Sequence, residues 1–256
     1  MISPQRLGKN NGGYFGERVD MRAVLGELES LGEKHGWVIE RMPVTEGLGL
    51  LALHRPAEFP GRAVYISAGI HGDEPAGPLA VKELLAENRW PPGVAVWLCP
   101  CLNPIGFERG VRENADGADL NRDYRSLKTA EIRAHVAWLE RQPNFDCALC
   151  LHEDWESHGF YLYERNRDRR PPLAPGIIEA VKGICPIDES PEIEGRPAMR
   201  GVIHVDDEPE ARELWPETLY LTVAKTAQCC TLEAPSDFPL AVRVAALVAA
   251  VRAVVG

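Results

Sequence analysis

The chain has 256 residues, 45% hydrophobic and 26% charged, an ordinary globular composition with enough length to bury a full core. Its formal net charge of −10 argues against a nucleic-acid partner or an anionic membrane surface. No uninterrupted apolar run reaches the roughly 18–20 residues of a membrane span, and the opening MISPQRLGKNNGGYFGERVD lacks the apolar stretch of a signal peptide, so a cytoplasmic protein is expected.

Residues 21–35 predict a helix, with Val24, Leu25, Leu28 and Leu31 at helical spacing. WVIERMPV and LGLLALHR then alternate like the two half-buried strands of a hairpin. AVYISAGI (63–70) is continuously apolar, as a central strand is, and stops at His71. PAGPLAVKELLAENR opens with proline and continues at helical spacing. VAVWLCPCL is a second central strand, halted by Asn103-Pro104. Residues 106–125 are polar and glycine-bearing and read as a functional loop rather than a structural element.

TAEIRAHVAWLERQ is an amphipathic helix, and CALCLHED a further central strand that ends at His152. GFYLYE predicts another strand and PLAPGIIEAVKGI another helix. Residues 186–217 are rich in proline and in acids (Asp188, Glu189, Glu192, Glu194, Asp206, Asp207, Glu208, Glu210) and read as an excursion over the surface, able to act as a lid. TAQCCTLEAP is the last strand, followed by a helix from about Leu240 whose apolar run is interrupted by Arg243 and Arg252. The alternation of strands and helices predicts an α/β sandwich with a largely parallel or mixed central sheet. No repeat or linker divides it, so one domain over 1–256 is expected.

Seven cysteines, with no export signal, suit a reduced chain. Cys147 and Cys150 form a C-x-x-C, but inside a strand a three-residue offset puts them on opposite faces, so structural cysteines are expected. The basic run RNRDRR (165–170) reads as a solvated loop.

Three strand ends carry the chemistry: GIHGDE, CLHED and CTLEAP. His71, Glu74 and His152 make the two-histidine, one-glutamate set of a catalytic zinc with one open position. Glu233, on a different segment, is the carboxylate such a metal needs to take a proton from water. The H-x-x-E pair alone is common; its weight comes from three placements agreeing on the carboxyl ends of strands, where open α/β sheets bind ligands. The loop ERGVRENADGADLNRDY adds Arg109, Arg112, Asn121 and Arg122. Among these, one arginine fork can hold a substrate carboxylate and another can polarise a carbonyl.

Taken together, H-G-D-E, N-P-x-G-F, R-x-N-A-x-G-x-D-L-N-R, a distant strand-end histidine and T-L-E-x-P resemble the zinc carboxypeptidase family. That group includes carboxypeptidase A, the bacterial murein-peptide amidases and, more distantly, succinylglutamate desuccinylase and aspartoacylase. The resemblance covers roughly residues 60–240. It implies an α/β/α sandwich with a mixed, mostly parallel eight-stranded sheet and one zinc per chain on His71, Glu74 and His152. It implies Glu233 as general base and acid, Arg112 as the group polarising the scissile carbonyl, and Asn121 and Arg122 as anchors of a free carboxylate. The expected substrate is a peptide or an acyl-amino acid. The desuccinylase branch carries a β-rich domain after the base, where here a helical stretch of 234–256 follows, so peptide hydrolysis near a C-terminus is the first expectation and deacylation the second.

Four features depart from the pattern. Ile105 stands where an aspartate is frequent. Glu153, Asp154 and Glu156 follow His152 in place of uncharged residues; these carboxylates would repel an anionic substrate, favour a basic one or hold a second cation near Glu153 and Asp154. The family's mobile tyrosine has Tyr220 as its nearest match in sequence, with Tyr161 and Tyr163 reading as strand residues. The acidic 186–217 segment has no counterpart.

Overall fold

The computed structural model describes residues 4–9, 17–44, 49–206 and 209–256. The residues joining the first hairpin, and Asp207 and Glu208 of the acidic excursion, lie outside them.

Helix α1 (Met21–Lys34) is started by Asp20, whose side chain accepts from the Ala23 N–H. Strands β1 (Val38–Met42) and β2 (Leu50–Arg55) pair antiparallel as expected. Then follow β3 (Arg62–Ala68), α2 (Ala76–Glu87), β4 (Val94–Cys99) and a short α3 (Pro104–Arg109). The 106–125 segment is therefore not all loop. Asn103 Oδ1 accepts from the Gly106 N–H, proline takes the first turn, and a one-and-a-half-turn helix forms before the chain opens out. Leu120–Arg122 makes a 3-10 turn.

Next come α4 (Ala130–Arg141), capped by Thr129, β5 (Cys147–Asp154), β6 (Tyr161–Asn166) and α5 (Ala174–Val181). β5 runs two residues past the expected stop at His152. The 186–217 excursion is built rather than draped: β7 (Glu192–Ile193) and β8 (Arg196–Pro197) form a small hairpin, and β9 (Val202–His204) joins the main sheet beside β6. Helix α6 (Glu217–Ala224), β10 (Gln228–Pro235) and α7 (Leu240–Val255) complete the chain.

The main sheet has eight strands in the order β1-β2-β4-β3-β5-β10-β6-β9. The inner strands β4, β3, β5 and β10 run parallel to one another. Their nearly unbroken burial follows from helices on both faces. One face packs α1, α2, α5 and α7 around residues such as Leu28, Leu84, Leu149 and Leu247. The other packs α4 and α6 around Tyr65, Trp138, Cys150 and Leu221. Cys147 belongs to the first layer and Cys150 to the second, as a three-residue strand offset requires. All seven cysteines are buried and unbridged. Among the described residues no helix is long and apolar enough to cross a membrane.

Because β3, β5 and β10 are adjacent and parallel, their carboxyl ends open on one edge. Ala68 aligns with Leu151, and His152 with Glu233. Leaving β3, the chain turns through Gly69 at φ +63°, a left-handed value that favours glycine. It then lays Gly72 directly on the backbone of Gly106, where a Cβ would fall 2.1 Å from the carbonyl carbon. We predict that Gly72→Ala, which must force these two backbones apart, lowers stability by about 1–3 kcal/mol, measured by urea unfolding.

Candidate functional site

The turn after β3 presents His71 and Glu74, and β5 presents His152; all three are buried. His71 Nδ1 lies 2.5 Å from Glu74 Oε1, and His152 Nδ1 lies 3.0 Å from Glu74 Oε2. The imidazole centroids are 5.0 Å apart. One donor atom from each of the three residues falls within 4.8 Å of the others, and among the described residues no other such cluster of three occurs. Atoms bearing lone pairs, facing one another out of water, are stable only with a cation or shared protons between them. The donor set thus fits a metal, and two nitrogens with a carboxylate suit zinc. The Glu74 carboxyl is held far below its ordinary range by the two imidazoles despite its burial, and His71 is raised by Glu74 and Asp119 against burial.

Asp119 belongs to the R-x-N-A-x-G-x-D-L-N-R string and joins the site through its neighbours. Its Oδ1 stands 3.4 Å from His71 Nε2, too poorly aligned for a hydrogen bond, so that buried nitrogen has no bonded partner. Its Oδ2 accepts from Arg112 Nε at 3.1 Å. One carboxylate therefore faces both a candidate ligand's far nitrogen and the arginine, the arrangement that orients metal-binding histidines. Arg112 also reaches the donors, with Nη1 3.2 Å from His71 Nδ1 and 3.6 Å from Glu74 Oε1. Asn103 Nδ2 holds this segment by donating to the Arg112 carbonyl at 3.1 Å.

Glu233 is the register neighbour of His152 on one side and of Tyr161 on the other. Burial pushes its carboxyl up to about 8; His152 and Arg112 pull against that rise, while Glu74 and Asp154 add to it. A cation gathered by the three donors would oppose it further. Asn121 Oδ1 accepts from the Glu217 N–H at 2.8 Å, which turns its amide nitrogen away from α6. Glu217 is itself buried, accepting from Ser67 Oγ at 2.9 Å and Tyr65 Oη at 3.1 Å. Arg122 is exposed on the 3-10 turn.

His71, Glu74, Arg112, Asn121, Arg122, His152 and Glu233 all line one cavity of about 800 Å³. Arg109 does not; it donates to the Ala115 carbonyl instead. The excursion supplies a wall through Glu194, Arg196, Val205 and residues 212–214. Three expectations need correcting. Arg165, read as part of a solvated loop, is 7% exposed, lies on β6 and lines the cavity. Tyr161 and Tyr163, rather than Tyr220, line it too; Tyr220 packs against Tyr124 at 5.6 Å between ring centroids. Asp154 accepts from Tyr161 Oη at 3.0 Å, and both Glu153 oxygens are taken by protein partners, which argues against a second cation there.

Residues 60–182 match the model of the succinylglutamate desuccinylase/aspartoacylase catalytic domain. Carboxypeptidase SOL1 of Arabidopsis thaliana is 31% identical over 127 residues, covering 38% of this chain and 24% of its own, so the chain spans about a quarter of that relative. Among solved structures, a candidate metallopeptidase of Shewanella amazonensis is similar with a TM-score of 0.78 at 24% identity, over 91% of each chain. A metallo-carboxypeptidase of Burkholderia cenocepacia gives 0.65 at 20%, over 92% of this chain and 67% of its own. At these identities the structural likeness is one of fold.

The raised Glu233 carboxyl makes a solution prediction. An unfolded chain would release this proton near the ordinary 4.5 and the folded one near 8, so the stability it lends is complete below about 4.5 and is lost as pH rises towards 8. In metal-free protein, the thermal midpoint should fall across that window, and Glu233→Gln should fall less steeply by scanning calorimetry.

Proposed function

We propose that the chain is a member of the zinc carboxypeptidase-like family, supported by its eight-stranded fold and its 60–182 match, and that it is a metal-dependent hydrolase cleaving a peptide bond near a free C-terminal carboxylate. The supporting observation is that Glu233 lies in register with His152, beside the three-donor cluster and over one cavity.

His71, Glu74 and His152 would hold zinc, which supplies Lewis acidity and makes a water acidic enough to react near neutral pH. Glu233 takes the proton that water sheds and passes it to the departing amine. Its partial burial keeps the carboxylate poorly solvated and so basic enough for that task. Arg112, steadied by Asp119, sets its guanidinium against the carbonyl oxygen and the charge that grows there. Asn121 offers the amide nitrogen left over from its bond to α6, and Arg122 offers a fork, to the substrate's terminal carboxylate. The amino-acid side chain beyond that carboxylate would lie towards Thr218, Thr231 and Cys229, which also line the cavity.

The 60–182 match favours a second reading on the same site, hydrolysis of an N-acyl-amino acid. Both reactions need the water, the base and the carboxylate anchor, and they differ in the acyl group. Assaying N-blocked dipeptides beside N-succinyl- and N-acetyl-amino acids separates them.

Under either reading, Glu233→Gln should retain zinc by elemental analysis while losing at least about 10²-fold in kcat. Near-normal turnover by that variant with zinc bound would contradict the proposed role.

A further inference from the structure

Glu153 stands where the family pattern has an uncharged residue, and its carboxylate has no part in the reaction proposed above. It is 6% exposed, and its contacts run to the Glu74 turn, to the start of α2 and to α7. Its backbone N–H donates to Glu74 Oε2 at 3.2 Å. Its Oε1 accepts from the N–H of Ala76, the first residue of α2, at 2.6 Å. Its Oε2 is ion-paired with Arg243 Nη1 of α7. Arg243 has a fully buried side chain, donates Nε to the Phe238 carbonyl at 2.9 Å and pairs Nη2 with Glu17.

We infer that the Arg243–Glu153 ion pair is a positioning device for the metal donors, bracing the His152 end of β5 against the Glu74 turn. The inference rests on reading His71, Glu74 and His152 as metal ligands. Ala76 is two residues after Glu74, and Glu153 is one after His152. A single carboxylate thus spans the gap between the two ligand-bearing segments, and the arginine fork fixes its orientation. A buried ion pair is a poor device for stability, since well-packed apolar replacements are often as good or better. What apolar side chains cannot do is accept the Ala76 N–H while being held from behind by α7. Partners behind the ligands of a metal site set its affinity, and their loss weakens binding by about 10- to 100-fold.

The test measures zinc affinity by competition with a chromophoric chelator, at fixed pH, alongside thermal unfolding of the metal-free proteins. The double variant Glu153→Met/Arg243→Met removes both charges together, so neither is left buried and unpaired. It should fold with a midpoint close to the wild type, yet bind zinc about 10- to 100-fold more weakly. Arg243→Lys, which keeps the charge but not the fork, should fall between. Leu139→Ala, in the core on the opposite face of the sheet, should lower the thermal midpoint and leave zinc affinity unchanged. Wild-type affinity in the double variant would overturn the inference, as would an equal loss in Leu139→Ala. Should the double variant fail to fold, unchanged affinity in Arg243→Lys overturns it instead. A wild-type protein that binds no zinc would sink the ligand assignment itself and this inference with it, a result distinct from the others.

Discussion

A close approach of three polar donors, held out of water by the fold, organises the site. Parallel strands and a tight turn hold two imidazole nitrogens and a carboxylate face to face, away from water. The Glu74 carboxyl is shifted down and the His71 imidazole up, each favouring the charged form of the other. The surrounding features bear on the same atoms. Arg112 leans a guanidinium on the same atoms, and Asp119 steadies that guanidinium while facing the far side of His71. The positive charge is wanted at one point, and the structure around it is arranged to keep the donors from separating.

The acidity of the chain is a poor guide to the charge of this cavity. The carboxylates after His152 suggested a site hostile to anions and welcoming to bases. In the fold, strand alternation and neighbouring partners divide them. Glu153 is matched by Arg243, and Asp154 accepts a tyrosine hydroxyl. Arg112, Arg122, Arg165, Arg196 and Arg212 also reach the cavity lining, among carboxylates that include Asp73, Glu156, Glu194, Glu213 and Glu233. The wall is thus of mixed sign, with positive charges set among the acids rather than replacing them.

Much of this was legible in the residues, for physical reasons that differ from place to place. Central strands announce themselves because burial on both faces demands unbroken apolar runs, and the candidate donors His71 and His152 were legible because they sit where those runs stop. Asp119 was visible within a recognised string but carried no signal of its own; only its distance from His71 and Arg112 gives it meaning. Arg243 was noticed as an interruption of an apolar helix, and that was the signal: a charge on a core-facing position needs a buried partner, here ninety residues away in sequence. β9 was hidden because three residues are too few for periodicity to speak, and because proline and acid content marks a surface segment whether or not it also pairs with a sheet edge. Arg165 was misread from its neighbours, since a basic run looks solvated until one member turns inward on a strand.

The two ends of the described chain are drawn into the same piece of machinery. Asp237, four residues beyond Glu233, accepts from the backbone of Gly8 and Lys9 and from Arg6, while Arg243 pairs with Glu17. Asp237 lies on the connection between β10 and α7 and Arg243 in the first turn of α7, so the segment that follows the candidate base is tied to the N-terminal residues from both. Loops that carry chemistry are commonly the least stable parts of a fold. Here the turns are short, backbone rests on backbone at Gly72 and Gly106, and the far side is closed by charged contacts rather than by water. The exposed lining residues lie away from this packed core, in Arg122, in Glu156 and in Glu194, Glu213 and Leu214 of the excursion. The donors, by contrast, are buried and fixed from behind by protein contacts.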